Sequence, residues 1–240
     1  MFYKEPILTR IDDFDQKGKM TSVVMLKALE NLSVNQATFV KDDVMEGKRR
    51  GVVWFLTEWR VEVVKTPRFH DELQGETWAT GKAPASRTRR QMRLLDLSDD
   101  VLVKAEACLM LYDLEKKAVV GITQDIFDKY QPEEIRQFDD DLPFFRQGED
   151  FEKTIQMQVR RSDVDFIGHV HNTAYLEFAN ELVPDEYLKT KSVKSFRVVY
   201  RRQLQHGDIF EVRLSRKDDK LLMGIYKDDT LYAGVEQTWE

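Results

Sequence analysis

The sequence predicts an α+β protein of two tandem units, each a long helix covered by an antiparallel β-sheet. Three observations carry this. Segment DFDQKGKM (13–20) returns as DVDFIGHV (163–170), an offset of 150 residues that pairs Asp13 with Asp163, Asp15 with Asp165 and Gly18 with Gly168. Both copies follow a stretch suited to a strand and run into a helical pattern. After each helix come alternating strands parted by Asp-rich turns. At 240 residues the chain is long enough to bury two such cores.

In the first unit YKEPILTR is the leading strand. Thr21 or Ser22 makes a good N-cap, and the helix runs to about Phe39 with Met25, Leu29 and Leu32 at helical spacing. WFLTEWRVEVV then alternates, setting Val53, Phe55, Thr57, Trp59, Val61 and Val63 on one face, Arg60 and Glu62 on the other. VLVKAEACLMLY reads as a buried strand in which Cys108 is a structural thiol. Ser98-Asp99-Asp100, Lys217-Asp218-Asp219 and Lys227-Asp228-Asp229 mark hairpin turns.

In the second unit FEKTIQMQVRR leads to a helix from Asn172, with Tyr175, Phe178, Ala179 and Leu182 on one face and its end at Pro184. A second internal match sets EVVKTPRFHDEL (62–73) against VVYRRQLQHGDI (198–209), His70 facing His206 across a one-residue gap. Between the halves, Pro132 with Glu133 and Glu134 suits the first turn of a short helix, and Asp139-Asp140-Asp141 should stay solvated. The boundary is expected near residue 147, giving units 1–147, with the linker at its end, and 148–240.

A formal net charge of −6 argues against a general nucleic-acid binder, which needs cations to neutralise phosphates. The single cysteine allows no intrachain disulfide and points to a reducing compartment, the cytoplasm. The first residues, MFYKEPILTR, show no apolar leader, and no apolar stretch is long enough to insert in a membrane.

Two of the four histidines, His169 and His171, fall in one copy of the repeat, where the other copy has Lys19 and Thr21. That asymmetry suggests a reactive site in the second half alone. Asp165 can take a proton or attack a carbonyl, and the N–H groups of a helix starting near Asn172 can hold an oxyanion, with His169 beside them. Gly168 would let the backbone come close to a ligand. On spacing alone Asp165 and Asn172 serve equally well as helix caps with His169 on the surface. Two histidines at i, i+2 without a second ligand cluster make a poor metal site.

The segment D-V-D-F-I-G-H-V-H-N-T-A-Y resembles the D-x-N-x-H-V-N-N-x-x-Y signature of the acyl-acyl-carrier-protein thioesterases, plant and bacterial enzymes of two hotdog domains. WFLTEWRVEVVKTPRFHDEL, GKAPASRTRRQMRLLD, KYQPEEIRQF and VVYRRQLQHGD resemble further blocks of that family in the same order. The resemblance implies a tandem-hotdog fold and hydrolysis of fatty acyl thioesters on acyl carrier protein, without a cofactor or metal. It implies that Asp165 is the catalytic carboxylate and His169 its partner, with Asn172 orienting the loop. Two positions depart from the family: its Asn is Ile167, and its Glu-Cys pair is Gln203-Leu204. Gln203 can hold water or a carbonyl by its amide but cannot act as a base. Trp54, Phe55, Trp59 and Met92 would line the acyl channel. Arg87, Arg89 and Arg93, or Lys191, Lys194, Arg197, Arg201 and Arg202, would dock the acidic carrier. A coenzyme A thioester as substrate and a non-catalytic acyl-binding protein are the alternatives, and a hotdog dehydratase is disfavoured because no His-Phe-Pro motif is present. Both monomer and homodimer fit a tandem repeat.

Overall fold

The computed structural model describes residues 1–81, 85–148, 150–166 and 168–240. The chain forms two compact units, Met1–Asp141 and Leu142–Glu240.

In the first unit β1 (Tyr3–Ile7) precedes α1 (Ser22–Phe39) and the short α2 (Val44–Arg50). Then come β2 (Val52–Val63), β3 (Leu73–Thr80), β4 (Thr88–Leu95), β5 (Val101–Asp113), β6 (Ala118–Val120) and α3 (Gln124–Tyr130). The sheet is antiparallel in the order β1-β3-β4-β5-β2, with β6 beside the end of β5. Thr21 caps α1, its Oγ1 accepting from the Val24 N–H at 3.3 Å. Met25, Leu26, Leu29 and Leu32 are fully buried on the helix face that meets the sheet, where Trp59, Val61, Met92 and Leu94 lie equally deep.

The expected alternation of β2 holds only from Trp59 onward. A β-bulge at Thr57 breaks the register between Leu56 and Glu58, and the Thr57 hydroxyl donates to the Cys108 carbonyl at 3.1 Å. Because one extra residue reverses the phase, Val52 and Trp54 pack against Leu111, Ile126, Phe127 and Tyr130, while Phe55 turns outward and stacks on Tyr112. Cys108 is half-buried on β5.

The short helix between the halves lies before Pro132, not after it: α3 ends at Tyr130, and Gln131 takes a left-handed conformation. Proline disfavours helical geometry in the residue ahead of it, which terminates α3 there. Glu133 instead bridges to Thr80, its N–H donating to the Ala79 carbonyl at 2.9 Å. Asp139, Asp140 and Asp141 are exposed, but Asp140 pairs with Arg60 and Asp141 with Arg89 and Arg136.

The second unit repeats the plan: β7 (Lys153–Gln158), α4 (Asn172–Asn180), α5 (Asp185–Thr190), β8 (Val193–Tyr200), β9 (Ile209–Lys217), β10 (Lys220–Lys227) and β11 (Thr230–Trp239). Its antiparallel order is β8-β11-β10-β9-β7. Helix α4 stops at Asn180, before Pro184, which caps α5 instead. Tyr175, Leu176, Phe178 and Ala179 form its buried face. The expected hairpin turns are present, with Asp99, Asp218, Asp228 and Asp229 all at positive φ.

Residues 142–148 belong to this second unit. Phe145 is buried against Gly234, where an added Cβ would collide with its ring, and its carbonyl accepts from Arg201 at 2.9 Å. Gln147 reaches Ser215 and the Leu222 carbonyl, both at 2.9 Å. The linker expected at the end of unit 1–147 is therefore in part a strap across the second sheet.

The second internal match shifts by one residue in three dimensions. Asp71 accepts from the Arg68 N–H as Asp208 does from the Gln205 N–H, at 2.8 and 2.9 Å. His70 thus corresponds to Gly207, both at positive φ, rather than to His206.

Candidate active site

The segment Asp165 to Asn172 is a tight hairpin leading into α4. Val164 bridges Val170, the Asp165 N–H donates to the His169 carbonyl at 2.8 Å, and the Gly168 N–H closes on the Asp165 carbonyl at 3.0 Å. Gly168 has φ +90, a conformation L side chains rarely adopt. The Asp165 carboxylate accepts from the His169 N–H at 3.1 Å. Ile167, the residue in place of the family asparagine, lies outside the described residues.

The first unit contains the same hairpin. Asp15 takes 2.8 and 2.9 Å backbone bonds with Lys19 and Gly18, and its carboxylate accepts from the Lys19 N–H at 2.9 Å. Holding the turn is therefore a duty of the aspartate in both copies. The copies differ in what surrounds it: Gln16 becomes Phe166, Lys19 becomes His169, and the capping Thr21 becomes His171. His171 makes no side-chain cap, its Nδ1 lying 2.7 Å from the Thr173 hydroxyl.

Two tyrosines tie the Gln203 loop to the start of α4. Tyr200, ending β8, donates its hydroxyl to the Asn172 carbonyl at 3.0 Å. The Leu204 N–H donates to the Tyr175 hydroxyl at 2.9 Å, in a fully buried setting. Burial pushes the Tyr175 phenol up to about 12, the Leu204 bond pulling the other way, so the hydroxyl stays neutral at physiological pH. Asp165, His169, Asn172 and Gln203 thus sit on one hairpin, one helix start and one loop that are joined by hydrogen bonds. Asp165 and Asn172 are half-buried, His169 and Gln203 exposed. The periodicity of α4 places Tyr175 on a buried face but gives no sign of its hydroxyl's partner, and nothing in the sequence singles out Tyr200.

The residues expected to bind substrate divide into separate environments. Trp59 and Met92 are buried under α1. Trp54 lies farther along β2, its indole N–H donating to the buried Asp42 at 2.9 Å, and Phe55 is 43% exposed. Among the arginines, Arg89 pairs with Glu106 at 3.2 Å and Asp141 at 2.8 Å, and Arg93 pairs with the buried Glu76. Arg87 is exposed just ahead of β4 and, with Arg89 and Cys108, lines a cavity of about 670 Å³ in the first unit. Arg197 is buried, Lys194 pairs with Glu240 at 2.9 Å and Lys191 lies 4.3 Å over the Tyr187 ring. Arg201 holds the strap and stacks 4.7 Å over Phe144, whereas Arg202 is exposed. No helix among the described residues is long and apolar enough to cross a membrane.

A helix preceded by a strand and covered by an antiparallel meander, twice in one chain, defines a tandem-hotdog protein, and solved structures agree. An acyl-ACP thioesterase from Bacteroides thetaiotaomicron matches all of this chain and 98% of its own with a TM-score of 0.87 at 17% identity. The 12:0-ACP thioesterase from Umbellularia californica matches all of this chain and 97% of its own with a TM-score of 0.88 at 16% identity. Residues 1–130 match the acyl-ACP thioesterase N-terminal domain and residues 147–239 the C-terminal domain. The chain belongs to the acyl-ACP thioesterase family. An oleoyl-acyl carrier protein thioesterase of Coriandrum sativum chloroplasts is 23% identical over 245 residues, covering 91% of this chain and 63% of its own length. The chain spans about three-fifths of the length of such curated relatives.

Proposed function

We propose that this chain hydrolyses fatty acyl thioesters carried on acyl carrier protein, releasing a free fatty acid in fatty-acid synthesis. The observation that carries the reading is the asymmetry of the duplicated hairpin. Both copies keep the aspartate turn and are tied to the loop beside it, but only the second carries a histidine after the turn glycine and joins the helix start to that loop by tyrosine hydroxyls. In this mechanism Asp165 takes the proton of a water that adds to the thioester carbonyl. His169 and N–H groups at the start of α4 stabilise the oxyanion. Collapse of the tetrahedral adduct breaks the C–S bond, and the carrier thiolate leaves with the proton. Gln203 orients the water through its amide, and Asn172 holds the hairpin to the helix. No cofactor or metal enters. Trp54, half-buried beside α3 in the first unit, contributes apolar surface for the acyl chain. The single unpaired cysteine fits a reducing cytoplasm, where the protein acts as a monomer or homodimer.

Gln203 in place of an acid favours one second reading, a hotdog protein that binds acyl groups without cleaving them. Thiol release from acyl-carrier-protein and acyl-coenzyme A substrates of graded chain length separates the two. Hydrolysis of carrier-bound substrate supports the proposal; hydrolysis of the coenzyme A form alone moves the substrate class, and no release from either leaves only binding.

A further inference from the structure

We infer that the second unit receives its carrier on a basic rim around the Asp165 hairpin, built from Arg161 and Arg202 with the exposed ring of Phe166. The occupant is the acidic face of the protein that bears the acyl thioester, so the inference rests on the thioesterase reading above. Val159 donates to the Asp208 carbonyl at 2.9 Å and accepts from the Gly207 N–H at 3.2 Å, which sets residues 159–161 alongside the 204–208 turn. The same short stretch leads directly into the hairpin. Arg161 thus lies at the foot of the Asp165 hairpin, and Arg202 opens the loop that carries Gln203.

Charge decides the sign of this rim. Of the nearby acids, Asp163 pairs with Arg160 at 2.8 Å and Asp208 with Lys227 at 2.7 Å, while Glu177 and Glu181 act on Arg160. Arg161 and Arg202 are exposed and, among the described residues, have no carboxylate partner. Arg89 and Arg93 on the first unit instead spend their charge on Glu106, Asp141 and Glu76.

The duplication serves as an internal control. Arg10 and Arg160 make the same turn with Asp13 and Asp163, their N–H groups donating at 2.6 and 2.7 Å. The next residue is Ile11 in one copy and Arg161 in the other, both exposed. The hairpin tip is Gln16 in one copy and Phe166, 80% exposed, in the other. Neither Arg161 nor Phe166 is needed to fold its turn, because the other copy folds without it. An exposed aromatic flanked by unpaired arginines is the composition of a protein-binding surface for an acidic partner.

The test compares acyl-carrier-protein with an acyl-N-acetylcysteamine thioester, which has no carrier to dock. Arg161→Glu combined with Arg202→Glu is expected to raise KM for the carrier substrate roughly tenfold. Arg161→Glu alone should leave turnover of the small thioester unchanged, and Arg161→Lys should restore the carrier KM. An unchanged carrier KM in the double variant overturns the inference, as does equal loss on both substrates or a larger effect from Arg87→Glu. If the wild type cleaves neither thioester, the thioesterase reading itself fails, and the docking surface goes with it.

Discussion

Asp165 has two duties that a single substitution can separate. Its carboxylate accepts the His169 N–H, a bond that an amide oxygen also accepts, so Asp165→Asn keeps the hairpin and removes only the proton acceptor. We expect kcat to fall about 10²- to 10⁴-fold with the melting temperature unchanged. Asp15→Asn, the same change in the first copy, should leave kcat at the wild-type level. Equal kcat in the wild type and Asp165→Asn would remove this residue from the chemistry. Tyr175 acts at one remove. Tyr175→Phe leaves the buried Leu204 N–H without its acceptor, at a cost of about 1–3 kcal/mol, and releases the loop that bears Gln203. The expected outcome is a lower melting temperature together with a reduced kcat; a change in neither would show that the bond positions nothing.

Among the elements, the strap 142–148 and the 204–208 turn make separate demands on the second sheet. The strap lies flat only because Gly234 has no Cβ to meet Phe145. Gly234→Ala should destabilise the unit by about 1–3 kcal/mol through overpacking, read as a fall in melting temperature. The turn depends on Asp208. Burial alone would raise its carboxyl, but hydrogen bonds from Lys227 and the Gln205 N–H outweigh burial and hold it below the usual range. A depressed carboxyl stabilises the fold above its unfolded value, near 4, and that contribution is lost as pH falls through the lower folded value. The difference in melting temperature between wild type and Asp208→Asn should therefore shrink as pH drops from about 6 to about 3. A difference that stays constant would assign Asp208 no ionic part. The hairpin and α1 were legible from Asp, Gly and Thr because turns and caps are local chemistry. The bulge at Thr57 was not, since an alternating run reads the same until its partner strand fixes the register.

For the whole molecule, a net charge of −6 opposes an acidic carrier, and the proposed rim works against that repulsion locally. Screening distinguishes the two, because the Debye length is about 10 Å at 0.1 M salt. With carrier-bound substrate kcat/KM should fall as salt rises, while turnover of a small thioester stays level. A rise with salt would show that overall repulsion dominates the encounter.

By itself the sequence determined the repeat, the α+β class and the starts of α1 and α4, because each depends on residues near one another in the chain. Spacing alone could not separate a catalytic Asp165 from a capping one, and the structure shows the turn-holding duty in both copies. Tertiary structure alone decided which arginines are spent in ion pairs, where the strap lies, and that Tyr175 and Tyr200 fasten the Gln203 loop to α4. Those facts depend on partners 17 or more residues away, such as Arg93 with Glu76 through paired strands or Tyr200 with Asn172 across the fold. Side-chain chemistry at one position cannot specify a partner that only packing brings within hydrogen-bond reach.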